Sequence, residues 1–148
     1  MPMHAPPPPP VAVAAQTRAE TALVRQINRV RREHGLRAVR FTFRLHRAAR
    51  RHSRDMLRRD QLTHGSSDGK SLSARLSSAG ARRHYGEVLA WAPRGSGSGA
   101  RTIVRMWLNS ASHRAVLLDG SLRRVGVGRL YGAMGRSRGH AITADFSS

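Results

Sequence analysis

Trp107-Leu108-Asn109-Ser110-Ala111-Ser112-His113-Arg114 closes one short helix and opens another. Upstream, Ser98 is a candidate N-cap, and Ile103, Met106 and Trp107 fall on the buried side of the helix it would start. Downstream, Ser110 or Ser112 caps a helix over Arg114 to Leu118. His113 therefore stands at a helix N-terminus, where the positive end of the dipole disfavours an imidazolium. Neutral imidazole is the form that binds metals.

On the N-terminal side of this stretch, Tyr85 to Trp91 reads as a short strand. Glu87 lies inside it, ahead of Val88-Leu89-Ala90-Trp91, and a carboxylate there needs a donor, a cation or water. Earlier still come a short helix over Ser71 to Ala79 and a polar loop, Gln61 to Lys70, that holds His64. On the C-terminal side, Arg124 to Leu130, a glycine-containing turn at Gly132 to Gly135, and Gly139 to Phe146 predict an antiparallel hairpin. Two longer helices precede all of this. Thr17 and Glu20 have capping-box spacing, Ala19, Leu23, Ile27 and Val30 share a face, and Gly35 is a natural stop. After an extended connector over Leu36 to Phe41, Thr42 caps a second helix with an apolar stripe of Leu45, Ala48, Ala49, His52 and Met56. Its opposite face carries Arg47, Arg50, Arg51, Arg54 and Arg58. The stripe predicts packing on a sheet; two alanines give it too little apolar bulk for strong insertion into a membrane surface. His46 and His84 have polar sequence neighbours and read as surface, and His52 as a core or boundary residue.

Composition bounds the function. The chain has 148 residues, with 27 Lys+Arg against 8 Asp+Glu and a net charge of +19. All the cations except Lys70 are arginines, and there is no cysteine. One domain with a real core is the expectation, over 17–148. Disulfide staples, Cys-based zinc fingers and Cys nucleophiles are excluded. No apolar run approaches the roughly 20 residues of a spanning helix. Residues 1–16, with the run Pro6 to Pro10 and the triplet Ala12-Val13-Ala14, read as a disordered Pro/Ala-rich tail or a signal remnant. The charge licenses non-specific attraction to any polyanion, nucleic acid included. Seven aromatics, several committed to the core, leave few stacking platforms for bases. Gly65-Ser66-Ser67-Asp68-Gly69-Lys70-Ser71 is not a nucleotide loop: only three residues separate its glycines where a Walker loop has four, no strand precedes it, and Asp68 would face the phosphates.

Taken in order, these segments resemble a known family. Leu23 to Asn28 with Gly35-Leu36, Leu45 to Met56, Thr63-His64 with Ser67-Asp68-Gly69, Gly86-Glu87, Trp107 to Ser110 with Ser112-His113-Arg114, and Val125 to Gly128 with Thr143 to Phe146 are similar to successive motifs of bacterial CAP (SCP-like) domains. This is the superfamily of cysteine-rich secretory proteins, antigen 5 and plant pathogenesis-related proteins. The resemblance implies an α/β fold, an α-β-α sandwich with a central, largely antiparallel sheet. It also implies a cleft formed by His64, Glu87 and His113, in which His64 and His113 hold zinc or another divalent cation. Two departures stand out: Val88 replaces the asparagine of the Gly-Glu-Asn signature, and Asn109 and Ser110 stand near the place of a second family acid.

The function so implied is a secreted, non-enzymatic, monomeric ligand-binding module. Its ligand would be a lipid, an acidic envelope polymer or a divalent metal. The first alternative is a zinc-assisted hydrolase in which Glu87 activates the bound water. The second is a polyanion binder acting through the arginine-rich surface.

Overall fold

The computed structural model describes residues 16–95 and 97–148; the tail or signal remnant read over 1–16 falls almost wholly outside them. The helices are α1 (Arg18–Glu33), α2 (Phe43–Arg59), α3 (Leu72–Ser78), α4 (Ala100–Leu108) and α5 (Ala111–Leu117). The strands are β1 (Arg40–Phe41), β2 (Tyr85–Pro93), β3 (Arg124–Met134) and β4 (Ser137–Ser147). They form one four-stranded sheet in the order β1-β3-β4-β2. Only the two-residue β1 runs parallel to its neighbour; β3 and β4 form the expected hairpin, but pairing continues through Gly132↔Gly139 to Met134↔Ser137, so the turn sits at Gly135-Arg136 rather than over Gly132 to Gly135, and β2 lies antiparallel on β4. The sheet is largely antiparallel and lies between helical layers, as an α-β-α sandwich.

Strand alternation divides the sheet into two different faces. Val88, Ala90, Val125, Val127, Ile142, Ala144 and Phe146 point to one side, where they join Leu23 and Ile27 of α1, Ile103, Val104 and Trp107 of α4, and Leu117 of α5 in the main core. Each fully buried large side chain there is worth roughly 1.5–3 kcal/mol over exposure. Trp107 buries its ring and donates Nε1–H to the Leu89 carbonyl at 2.9 Å. The other face carries Glu87, Leu89, Gly126, Gly128, Thr143 and Asp145, and α2 lies across it. A Cβ on Gly126 would stand 2.0 Å from His46 N, and one on Gly128 2.3 Å from Arg50 N. Helix backbone thus rests directly on strand backbone, which only glycine permits. Ser53 Oγ and His46 Nδ1 secure the contact by donating to the carbonyls of Gly128 and Val127, at 2.9 and 2.8 Å.

Several local expectations need correction. His46 is fully buried, not on the surface, because α2 buries a broad face that includes the flank of its apolar stripe. Arg50 is drawn from the solvated face by Glu20, to which its Nη1 donates at 3.0 Å. In α4 the buried positions are Ile103, Val104 and Trp107, while Met106 is 44% exposed. Gly99, not Ser98, is the N-cap residue of α4; the Ser98 hydroxyl turns back to the Gly95 carbonyl. Helix α5 starts earlier than predicted, with Ser110 at its N-cap position, so His113 lies within its first turn.

Two buried charges hold the layers together. Glu20 completes the capping box with Thr17 and is fully buried. Its carboxylate also accepts from Arg50 and from the backbone N–H of Arg129, at 3.0 Å in each case. Arg31 is fully buried and spends its fork on four carbonyls, those of Arg37, Leu117, Asp119 and Leu122, at 2.8–3.0 Å. Among the described residues no helix is long and apolar enough to cross a membrane.

Candidate functional site

Glu87 and Asp145 are register partners on β2 and β4, so both carboxyls enter the α2 side of the sheet side by side. Glu87 is the centre of the site, and its side chain has no exposure. His64, from the loop after α2, donates Nδ1–H to Oε1 at 2.7 Å. Arg75, from α3, places Nη2 at 2.9 Å from both carboxylate oxygens and at 2.8 Å from the His64 carbonyl. His52, from α2, donates Nε2–H to the Thr63 carbonyl at 2.6 Å and passes 3.9 Å from Glu87 Oε1. Its Nδ1 is buried without a partner among the described residues.

Two carboxyls so close cannot both be ionised without a large penalty. Burial pushes Asp145 well above the ordinary carboxyl range, and hydrogen bonding to Glu87 together with its charge pushes the same way. Among the described residues no other donor meets either Asp145 oxygen, so the protonated form, donating its own hydrogen to Glu87, is the satisfied one. Burial alone would raise Glu87 too, but the bonds from Asp145 and His64 and the charge of Arg75 outweigh it and hold it down at about 2. Burial lowers His52 against the pull of Glu87, which keeps that ring neutral. The result is one proton and one anion shared across two strands, with the anion neutralised by a guanidinium.

The structure brings His64 and Glu87 into direct contact. It places His113 half-buried on α5, where it shares no hydrogen bond or ion pair with either of them among the described residues. Among the described residues no three His, Cys, Asp or Glu side chains are grouped so as to hold a metal ion.

The model of the cysteine-rich secretory protein family, CAP, matches residues 24–146. The chain belongs to the CAP family. Solved structures of CAP-like shape agree. An outer surface protein from Borrelia burgdorferi superposes with a TM-score of 0.74 at 18% identity, over 90% of this chain and 96% of that one. An extracellular protein containing an SCP domain from Bacillus anthracis gives 0.68 at 26% identity, over 86% of this chain and 41% of that one. Venom allergen-like protein 4 of Schistosoma mansoni gives 0.62 at 11% identity, over 88% of each chain. No curated protein sequence matches the chain.

Besides His52, which reads from the sequence only as a core or boundary residue, two members of this site escaped sequence reasoning. Asp145 carried a usable signal: like Glu87, it is a carboxylate in an otherwise apolar strand, and the hairpin with β2 alongside sets the two in register. Arg75 carried none, being one arginine among many on a helix too short to show a stripe.

Proposed function

We propose that the chain is an extracellular, non-enzymatic binding module of the CAP type, whose cleft is closed by a guanidinium rather than a metal ion. The observation that carries this reading is Arg75 Nη2, bridging both oxygens of Glu87 at 2.9 Å. A zinc site takes three or four protein ligands. Here the carboxylate is taken by Arg75 and by Asp145, and His64 Nδ1 is turned onto it, so the donors left are two separate imidazoles. A general base works best with a pKa near the operating pH, and Glu87 at about 2 is far too weak a base to activate water. The outer surface and extracellular descriptions of similar proteins from Borrelia and Bacillus support the location. His64, with a side chain 51% exposed, is the cleft group that meets solvent and hence a ligand.

Zinc titration by calorimetry tests the reading. Wild type and a His64→Ala/His113→Ala variant are expected to give the same weak heats from the remaining histidines. A one-site isotherm present in wild type and lost in the variant would overturn it.

A further inference from the structure

The arginines of α2 are not scattered over its solvated face. Arg44, Arg47, Arg51, Arg54 and Arg58 recur at steps of three and four residues, so they form one row along the helix. All five are exposed, and at 1.5 Å per residue the row is about 21 Å long, with a charge every 4.5–6 Å or so. A cavity of about 380 Å³ opens beside the C-terminal half of the row, between α2, the loop before α3, and α3 itself. A second, of about 240 Å³, opens beside the N-terminal half. Ala48, Arg51, Arg75 and Ser78 line both, so the two cavities adjoin along α2 and together make up one groove.

The larger cavity sets Arg51, Arg54, Arg58, Lys70 and Arg75 against two carboxylates, Asp55 and Asp68. Those carboxylates are committed to the loop. Asp55 accepts the N–H of Ser67 at 2.9 Å and its hydroxyl at 2.5 Å. Asp68 accepts the Ser66 hydroxyl and the Lys70 N–H. Arg75 is different from the other cations. Its side chain is only 10% exposed, its Nη2 makes every bond described for it, and its Nε–H and Nη1–H are buried with no acceptor among the described residues. Unmet donors on a buried guanidinium call for an oxyanion.

We propose that this groove is a binding site for a polymer of repeating phosphate groups without bases, such as a polyol phosphate, with Arg75 as its buried anchor and the α2 row tracking successive phosphates. Charge spacing along the row suits a chain rather than a single ion. Neither wall contains Phe, Tyr or Trp, and the one ring among the lining residues, His52, is buried, so the groove offers bases no exposed aromatic platform, which disfavours a single-stranded nucleic acid. The proposal rests on the binding-module reading, but phosphate affinity and zinc heats are separate readouts, so either can fail alone.

The test is titration of the full chain at physiological salt with a synthetic glycerol phosphate oligomer, inorganic phosphate, and a single-stranded oligonucleotide of equal charge. The oligomer is expected to bind more tightly than both other probes. An Arg54→Gln/Arg58→Gln variant should lose affinity by about tenfold or more, since it removes two charge-assisted contacts. An Arg101→Gln/Arg105→Gln variant, which removes the same charge from the exposed side of α4, should change it by less than about twofold. Arg75→Lys keeps the charge but loses the fork, and should weaken binding with the thermal midpoint recorded alongside to verify folding. Equal losses in the two double variants, or equal affinity for the oligonucleotide, would reduce the groove to bulk charge and overturn the proposal. Equal affinity for inorganic phosphate would assign the site to the free ion and overturn the polymer.

Discussion

Replacing Asp145 by asparagine separates a carboxylic acid from a carboxylate. In the folded protein Asp145 keeps a proton that the unfolded chain releases above the ordinary carboxyl range. At this site the native state then binds one proton more than the unfolded state, and the Asp145 contribution to wild-type stability falls as pH rises. The slope is about 1.4 kcal/mol per pH unit for one proton, and it persists until the native acid itself ionises. Asparagine has the same shape, carries a donor in place of the carboxyl hydrogen, and does not titrate. The stability of Asp145→Asn relative to wild type should therefore climb with pH. Between pH 5 and 7 it gains up to about 2.7 kcal/mol, or on the order of 8 °C in Tm for a domain of this size. Glu87, held down at about 2, contributes stability that is complete above its ordinary range and lost only as pH falls towards 2, so it adds no slope in this window. The neutral, buried His52 contributes equally to both proteins and cancels in the difference. Any fixed loss from the amide's second N–H, which has no acceptor to meet, is independent of pH and does not touch the slope. Guanidinium melts followed by circular dichroism at pH 5, 6 and 7 provide the measurement. A difference that stays flat, or shrinks as pH rises, would show that Asp145 is ionised and that the two-strand proton is misplaced.

Three further substitutions probe the packing. Gly126→Ala drives a methyl to within 2.0 Å of His46 N and 2.1 Å of Leu45 C, backbone atoms with nowhere to go, and should cost about 3 kcal/mol in urea melts. Gly132→Ala meets only the flexible end of Leu57 at 2.9 Å and should cost about 1 kcal/mol; equal losses would refute the backbone contact. Arg31→Met strands the four carbonyls that Arg31 serves and should lower stability by roughly 3 kcal/mol, with an unchanged urea midpoint as the refuting result.

What could be read from the chain was local or patterned. The Thr17/Glu20 box, the Thr42 cap and the Ser71 start are decided within four residues, and all three are present. Motif order placed His64 beside Glu87 although 23 residues separate them. The failures share a cause: they depend on partners distant in sequence. Nothing near Glu20 reveals that its carboxylate also serves Arg50 and Arg129, the latter 109 residues away. His46 was misjudged from polar neighbours, when what buries it is two glycines 80 or more residues on. Met106 and Val104 exchange roles because a nine-residue helix gives its apolar face little angular definition. Arg75 is chemically identical to its many exposed counterparts and is singled out only by where α3 delivers it.

The engagement of the Arg129 N–H by Glu20 has a consequence for how copies of this protein meet. Strand β1 pairs with β3 at Arg124 and Val125, and beyond Val125 that side of β3 has no strand partner among the described residues. An open margin is a template for strand addition by a second chain and the usual starting point of aggregation. Glu20 takes the Arg129 amide out of that template, and Arg50 locks the carboxylate in place. With like charge keeping copies apart at long range, a buried acid on the first helix, together with His46 on the Val127 carbonyl, guards against misassembly at short range.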